Sequence, residues 1–232
     1  MRISLSLETK AGSEPLTFEV SRMINAGFTG RDRAAAQHHL DELEAEGIPV
    51  PKEIPVLYPV IPKTLMIDPG RIEVYSGFTC AEVEYVLLVE SPDKVYVGLG
   101  SDHTDRKLEE TDIPRAKQIC PNVMAETVWP LAEVVDHWDE MTIRLRQEDN
   151  REEVLYQEGL LSLLMAPGPL MELIANRIPG PLDGNVIFSG TIGNLTGGFV
   201  YGSRVLAQLV DTASGRNLDL NYLVKPLDYL AV

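Results

Sequence analysis

Apolar and polar residues alternate along most of this chain, and the alternation reads as strands. "RISLSLET" (2–9) and "PLTFEVS" (15–21) are two such runs, joined by the turn "KAGSE". The period then changes. "RDRAAAQHHLDELEAE" (31–46) predicts a helix, with Thr29 able to cap its N-terminus, Asp32 three residues on, and Gly47 placed to end it. From Ile48 to Pro69 six prolines exclude a helix and predict an extended, irregular path. Strands resume in "RIEVYSG" (71–77), "AEVEYVLLVE" (81–90) and "KVYVGLG" (94–100). A helix is predicted near "PLAEVVDHWDEM" (130–141), followed by strands "TIRLRQ" and "EEVLYQEG" around the turn "EDNR". An apolar helix over "PLMELIANRI" (169–178) and closing strands "NVIFSG", "SRVLAQLVD" and "LDLNYLV" complete the pattern. The sum is an α+β, β-rich mixed fold with few helices and no regular alternation of strand and helix.

Composition narrows this picture. At 232 residues the chain fits one domain over 1–232, with the strands of 1–24 as a small appendage. A formal net charge of -15 excludes a nucleic-acid surface or an anionic membrane as partner, because both require basic patches. The N-terminus lacks the continuous apolar core of a signal peptide, and no apolar run reaches the length of a membrane span. Cys80 and Cys120 are too few for a disulfide framework, so buried thiols in a reducing cytoplasm are expected.

One strand breaks its own pattern. In "AEVEYVLLVE" one face carries Ala81, Val83, Tyr85, Leu87 and Val89, while the other carries Glu82, Glu84, Val86 and Leu88. Buried carboxylates must be paired or bound to metal; alternatively the register frays here and both glutamates reach water. Asp102 follows the next strand, on the face of Tyr96, Gly98 and Gly100, and the two glycines leave space beside it. A hairpin loop of odd length, Pro92 to Lys94, centred on Asp93, sets residue 84 opposite residue 102 with both side chains on one face. A two-residue loop sends Asp102 to the other face. The odd loop is therefore expected. Three carboxylates converging there make a hard-oxygen site for Mg²⁺, Mn²⁺ or Ca²⁺, with coordination positions left for water or a chelating substrate.

Four segments, in order, resemble the fumarylacetoacetate hydrolase superfamily. "AEVEYVLLVES" is similar to its "HEVELAVVIG" strand and "GSDHTDRKLE" to its "NDxSARDxQ" segment. "GNVIFSGTIGNLTGG" is similar to its "GDvIlTGTPxGvG" turn, and "EIPVLYPVIPKT" to its "PxxFxKP" run. Together they span about residues 25–200 and suggest a divergent branch, folded as a β-roll like the family's C-terminal domain.

The resemblance implies metal ligands at Glu82, Glu84 and Asp102, a substrate-contacting arginine at Arg106, and a substrate carboxylate held by Thr191. It implies an active-site lysine, here Lys117, with Arg115 as a substitute. It further implies a water-activating histidine and acid three apart on a helix: His39 with Glu42, or His38 with Asp41. His39 borders the apolar stripe of Ala36, Leu40 and Leu43 whereas His38 points nearly opposite, which favours the first pair. His103 and Asp105 adjoin the metal ligand as supporting groups, or Asp105 caps the next turn; His137 reads as a helix-surface residue.

The implied activity is a Mg²⁺-dependent enzyme, with Mn²⁺ or Ca²⁺ as alternatives, acting on acylpyruvate-like 2-oxo acids. It would hydrolyse a C–C bond through a metal-bound enolate, in a cytoplasmic homodimer. A decarboxylase, hydratase or isomerase of the same superfamily, or a noncatalytic binding protein keeping the scaffold, are the alternatives.

Overall fold

In the computed structural model, residues 1–32, 34, 51, 53–149 and 152–229 are described. The helix expected over 31–46 lies, but for its first residues, outside them. Along the chain run β1 (Arg2–Thr9), β2 (Gly12–Glu19), β3 (Arg22–Gly27), β4 (Val56–Val60), β5 (Leu65–Ile67) and β6 (Arg71–Val74). There follow β7 (Thr79–Cys80), β8 (Val83–Ser91), β9 (Lys94–Asp102) and β10 (Thr104–Asp105), then helices α1 (Arg106–Glu109) and α2 (Ile113–Ile119). The last part holds β11 (Asn122–Met124), β12 (Thr127–Pro130), β13 (Thr142–Asp149), β14 (Glu152–Leu160), α3 (Pro167–Ala175), β15 (Asn185–Phe188), β16 (Arg204–Asp211) and β17 (Arg216–Pro226). The chain is mostly sheet with few helices, as the alternation predicts.

Two sheets carry the fold. The larger has the order β2-β1-β12-β9-β8-β15-β3-β4, with β11 joining β9 to β5; the smaller runs β14-β13-β16-β17-β6. Between them lies the main core, where Tyr85, Leu87, Val97 and Leu99 meet Ile143, Leu145, Leu209, Leu220 and Tyr222. The larger sheet also curls, so that its other face encloses a second cluster of Leu5, Phe18, Met23, Val86, Leu88, Val186 and Phe188. β8 is thus buried on both faces, which is why "VLLV" lacks a polar side. Each such side chain contributes about 1.5–3 kcal/mol on burial.

The opening strands are part of this sheet rather than attached to it: β1 pairs in parallel with β12, and Ile3, Leu5 and Leu7 are buried in the curled core. Their turn is tighter than the expected "KAGSE". Thr9 pairs with Gly12, leaving only Lys10 and Ala11 to turn, because Gly12 continues the strand at φ +137, a value open to glycine. The helix expected near 130–141 is instead a pair of 3₁₀ segments, Leu131–Glu133 and Val135–Glu140, separated at Val134, the second kinked at His137. Packing overrides propensity there, since the second turn delivers buried Trp138 edge-on to Tyr85, ring centres 4.9 Å apart. No helix among the described residues is long and apolar enough to cross a membrane.

The β8–β9 hairpin corrects the expected register. Glu84 lies opposite Gly100, not opposite Asp102, and Ser91 pairs with Lys94 across a two-residue turn. The ladder shifts between Val89 and Ser91, so Glu90 is an extra residue on β8. Its carboxylate accepts from the Tyr96 hydroxyl at 2.5 Å and from Lys94 at 3.1 Å, which anchors the irregularity. This extra residue undoes the parity change of a two-residue turn. The Asp102 N–H donates to the Glu82 carbonyl at 3.1 Å, and the three acids share a face after all.

Candidate active site

The acids sit where the chemistry of a strand end and the curl of the sheet coincide. Glu84 and Asp102 are about 1% exposed and the Glu82 side chain 15%. One carboxylate oxygen from each lies within 4.8 Å of the others. Gly98 and Gly100 do not leave empty room beside them, as their sequence suggested. A Cβ at Gly100 would stand 2.6 Å from Phe188 Cε1 and 2.7 Å from Val86 Cγ2, so the glycine lets the curled core close up beneath the acids.

Two cations balance this cluster in part. Lys117 Nζ donates to Asp102 at 2.5 Å and Glu82 at 3.0 Å. Arg106 donates from Nη2 to Glu82 at 3.1 Å, from Nη1 to Glu109 at 2.6 Å, and from Nε to the Cys80 sulfur at 2.8 Å. Burial pushes the Glu82 carboxyl up, but Arg106 and Lys117 together outweigh it and hold it at about 2. Glu84 has no such partner. Burial, then the charges of Asp102 and Glu82, raise it well above the carboxylate range, against the pull of Lys117 and the Gly190 N–H. Asp102 is raised by burial to about 6 despite Lys117. Burial works against the Lys117 ammonium, yet Asp102 and Glu82 hold its pKa well above the usual lysine value.

A loop after β15 closes the third side. Gly190, at φ +85, has Thr29 Oγ1 2.5 Å and the Ala26 carbonyl 2.9 Å from where a Cβ would lie; it turns its N–H onto Glu84 at 2.9 Å. Thr29, expected to cap the helix over 31–46, which lies mostly outside the described residues, gives its hydroxyl to the Ser189 carbonyl. The Thr191 hydroxyl donates to the Val83 carbonyl and accepts from Gln157, while its backbone N–H has no partner among the described residues. Gln157 ties this loop to β8, accepting from the Val83 N–H at 3.1 Å and donating to the Ile192 carbonyl.

The structure therefore brings Glu82, Glu84, Arg106, Lys117 and Thr191 together around a cleft of about 430 Å³, with Asp102 buried next to them and bonded to Lys117. Arg115 does not belong to it: its side chain is 80% exposed and pairs with Asp112. His39, Glu42, His38 and Asp41 lie outside the described residues. His103 alternates to the far side of its strand, bonding Thr79 and Tyr222, and burial lowers its pKa to about 3, so it is neutral and faces away from the acids. Asp105 caps α1 by accepting from the Leu108 N–H. His137, expected on a helix surface, is 20% exposed with Nε2 2.9 Å from Asp211, because the 3₁₀ turns bring it against β16. Sequence reasoning missed Tyr58, Tyr156, Gln157, Glu109 and Phe199, all lining the cleft. It also missed the buried Asn25–Asn122 pair beside Asp102. Only Glu109, one turn after Arg106, had a local signal.

The donor set fits a divalent cation. It is all carboxylate oxygen, Asp102 Oδ1 is buried with no hydrogen-bond partner among the described residues, and Glu84 is an acid without a cation of its own.

Comparison with curated protein sequences gives no match. Residues 26–222 match the family described as "Protein of unknown function (DUF2848)". The chain belongs to this family. Solved structures extend the relation to the fold. 2-Keto-3-deoxy-D-arabinonate dehydratase is 16% identical, with a TM-score of 0.62 over 90% of this chain and 74% of that one. A candidate fumarylacetoacetate hydrolase family protein from Yersinia pestis CO92 is 18% identical, with a TM-score of 0.61 over 94% and 100%. 5-Carboxymethyl-2-hydroxymuconate delta-isomerase from Mycobacterium smegmatis is 18% identical, with a TM-score of 0.61 over 97% and 99%. This DUF2848 member thus has the fumarylacetoacetate hydrolase-like fold that its four segments suggested.

Proposed function

We propose that the chain is a divalent-metal-dependent enzyme acting on 2-oxo acids of the acylpyruvate kind, and that it cleaves a C–C bond by hydrolysis. The observation that carries this is the buried convergence of Glu82, Glu84 and Asp102 beside Lys117 at the base of an open cleft. These three residues would hold the ion, with Mg²⁺ the first choice. When bound, it would supply Lewis-acid polarisation of the substrate's 2-oxo carbonyl.

The chain's own residues do the rest. Arg106 fixes Glu82 through its Nη2 contact, while Glu109 and Cys80 hold the guanidinium in place. Thr191 stands at the cleft wall, and its N–H, without a partner among the described residues, suits a substrate carboxylate. Lys117 has one N–H beyond those given to Glu82 and Asp102, and its ammonium can stabilise negative charge developing on the 2-oxo oxygen as the bond breaks. His39, oriented by Glu42, would take the proton from the attacking water.

A second reading, decarboxylation, hydration or isomerisation, is favoured by a specific observation: no histidine is among the described residues that line the cleft. Titration calorimetry with Mg²⁺ and Mn²⁺, with and without oxalate, followed by a screen of acylpyruvates, tests the proposal. Glu84→Gln is expected to weaken cation binding at least tenfold and to abolish metal-dependent turnover. Full activity in that variant would refute the metal assignment. His39→Ala turning over at the parent rate would move the reaction to the second reading.

A further inference from the structure

The cleft has a charge balance of its own. Glu82 and Glu84 line it with Asp102 clustered beside them, and Glu109, with its side chain 23% exposed, stands on its wall. Among the described lining residues the cationic side chains are Arg106 and Lys117 alone. Both are committed: Lys117 to Glu82 and Asp102, and Arg106 to Glu82 and, at 2.6 Å, to Glu109. With a divalent cation on the three acids, four carboxylates are matched by that ion and two side chains, and no positive charge is left over. The remaining wall is uncharged, with Phe28, Tyr58, Ile113, Tyr156, Ile192 and Phe199 as its larger members. A second carboxylate on a substrate's tail would leave water for a surface whose described residues offer no free cation, and would face Glu109.

We propose, resting on the reading of the site as one for 2-oxo acids, that Glu109 determines specificity by excluding a second carboxylate. The site then takes 2-oxo monocarboxylates with an uncharged, apolar or aromatic tail. Arg106 is the counterpart of this device. Its guanidinium lies 4.7 Å over the Phe199 ring, towards the cleft mouth, and Glu109 neutralises the part of its charge that Glu82 does not. Without the Glu109 charge, Arg106 is free to pair with a distal carboxylate.

Stable oxamates test this by calorimetry in Mg²⁺ without turnover. Oxalate, which has no tail, reports the 2-oxo acid reading by itself; if it does not bind, that reading falls and the proposal with it. N-phenyloxamate and N-(4-carboxyphenyl)oxamate differ by one distal carboxylate. The parent protein is expected to bind the compound with the uncharged tail at least tenfold more tightly. Glu109→Gln and Glu109→Ala are each expected to narrow that ratio at least tenfold. With oxalate bound, a parent ratio near one, or a ratio that neither variant narrows, overturns the proposal while leaving the 2-oxo acid reading intact.

Discussion

His103 and Asp102 are chain neighbours with opposite fates, because a strand alternates its faces. Asp102 joins the acids, while His103 is sealed between Thr79 and Tyr222. Its folded pKa of about 3 lies below the unfolded value of about 6.5, so the unfolded chain takes up a proton first as pH falls. The stability this neutral ring contributes is complete above pH 6.5 and drains away towards pH 3, by about 1.4 kcal/mol per pH unit for one proton. Asp102, whose folded pKa is raised to about 6, works with the opposite sign below that pH. Comparing the parent with His103→Gln by urea unfolding isolates the histidine. The stability gap between them is expected to close steadily as pH falls from 6.5 to 4, and a constant gap would contradict a neutral buried ring. The acids, the cysteines and Arg106 were legible as residues in the sequence. Gln157 was not, since nothing near it in the chain marks it and it reaches the cleft only through contacts with distant segments, and Tyr58 lay in the "EIPVLYPVIPKT" run without a role.

At the level of elements, the β8–β9 hairpin decides whether a site exists. A two-residue turn alone would turn Asp102 away from Glu82, and the extra residue Glu90 restores the shared face. The sequence supplied the strands and their alternation, but turn length and an irregularity compensate one another here, and only their combination sets the register. Gly100 is the second decisive feature of this hairpin. Adding a methyl group there drives it into Phe188, Val86 and the Val123 carbonyl, 2.9 Å away. Gly100→Ala is expected to cost about 1–3 kcal/mol in chemical denaturation. Because the displaced groups lie directly under Glu84 and Asp102, it should also weaken Mg²⁺ binding. A variant as stable as the parent would show that the curled core yields more easily than its packing implies.

Across the whole molecule, two packed sheets with a curl in one of them concentrate three carboxylates in a buried place that neither strand alone could make. Such a cluster is strained electrostatically without a cation, so binding one should stabilise the folded chain. At a hundredfold excess over Kd the gain is about 2.7 kcal/mol. For a chain of this length that is a rise in Tm of roughly 5–10 °C. Scanning fluorimetry with Mg²⁺ or Mn²⁺ against a chelator-treated sample measures it, and Glu84→Gln should lose most of the rise. An unchanged Tm at millimolar cation would count against the site.

The sequence by itself determined that this is a β-rich chain, that its strand at 81–90 carries apolar residues on both faces, and that acids stand at 82, 84 and 102. Those properties follow from residue type and a period of two, which are local. Tertiary structure decided that β1 and β2 complete the larger sheet, that Glu109 neutralises Arg106, and that the loop at Gly190 aims an N–H at Glu84. These depend on which distant segments meet, and on a single extra residue in a hairpin, where burial and packing of the whole chain outweigh any preference a short stretch can express.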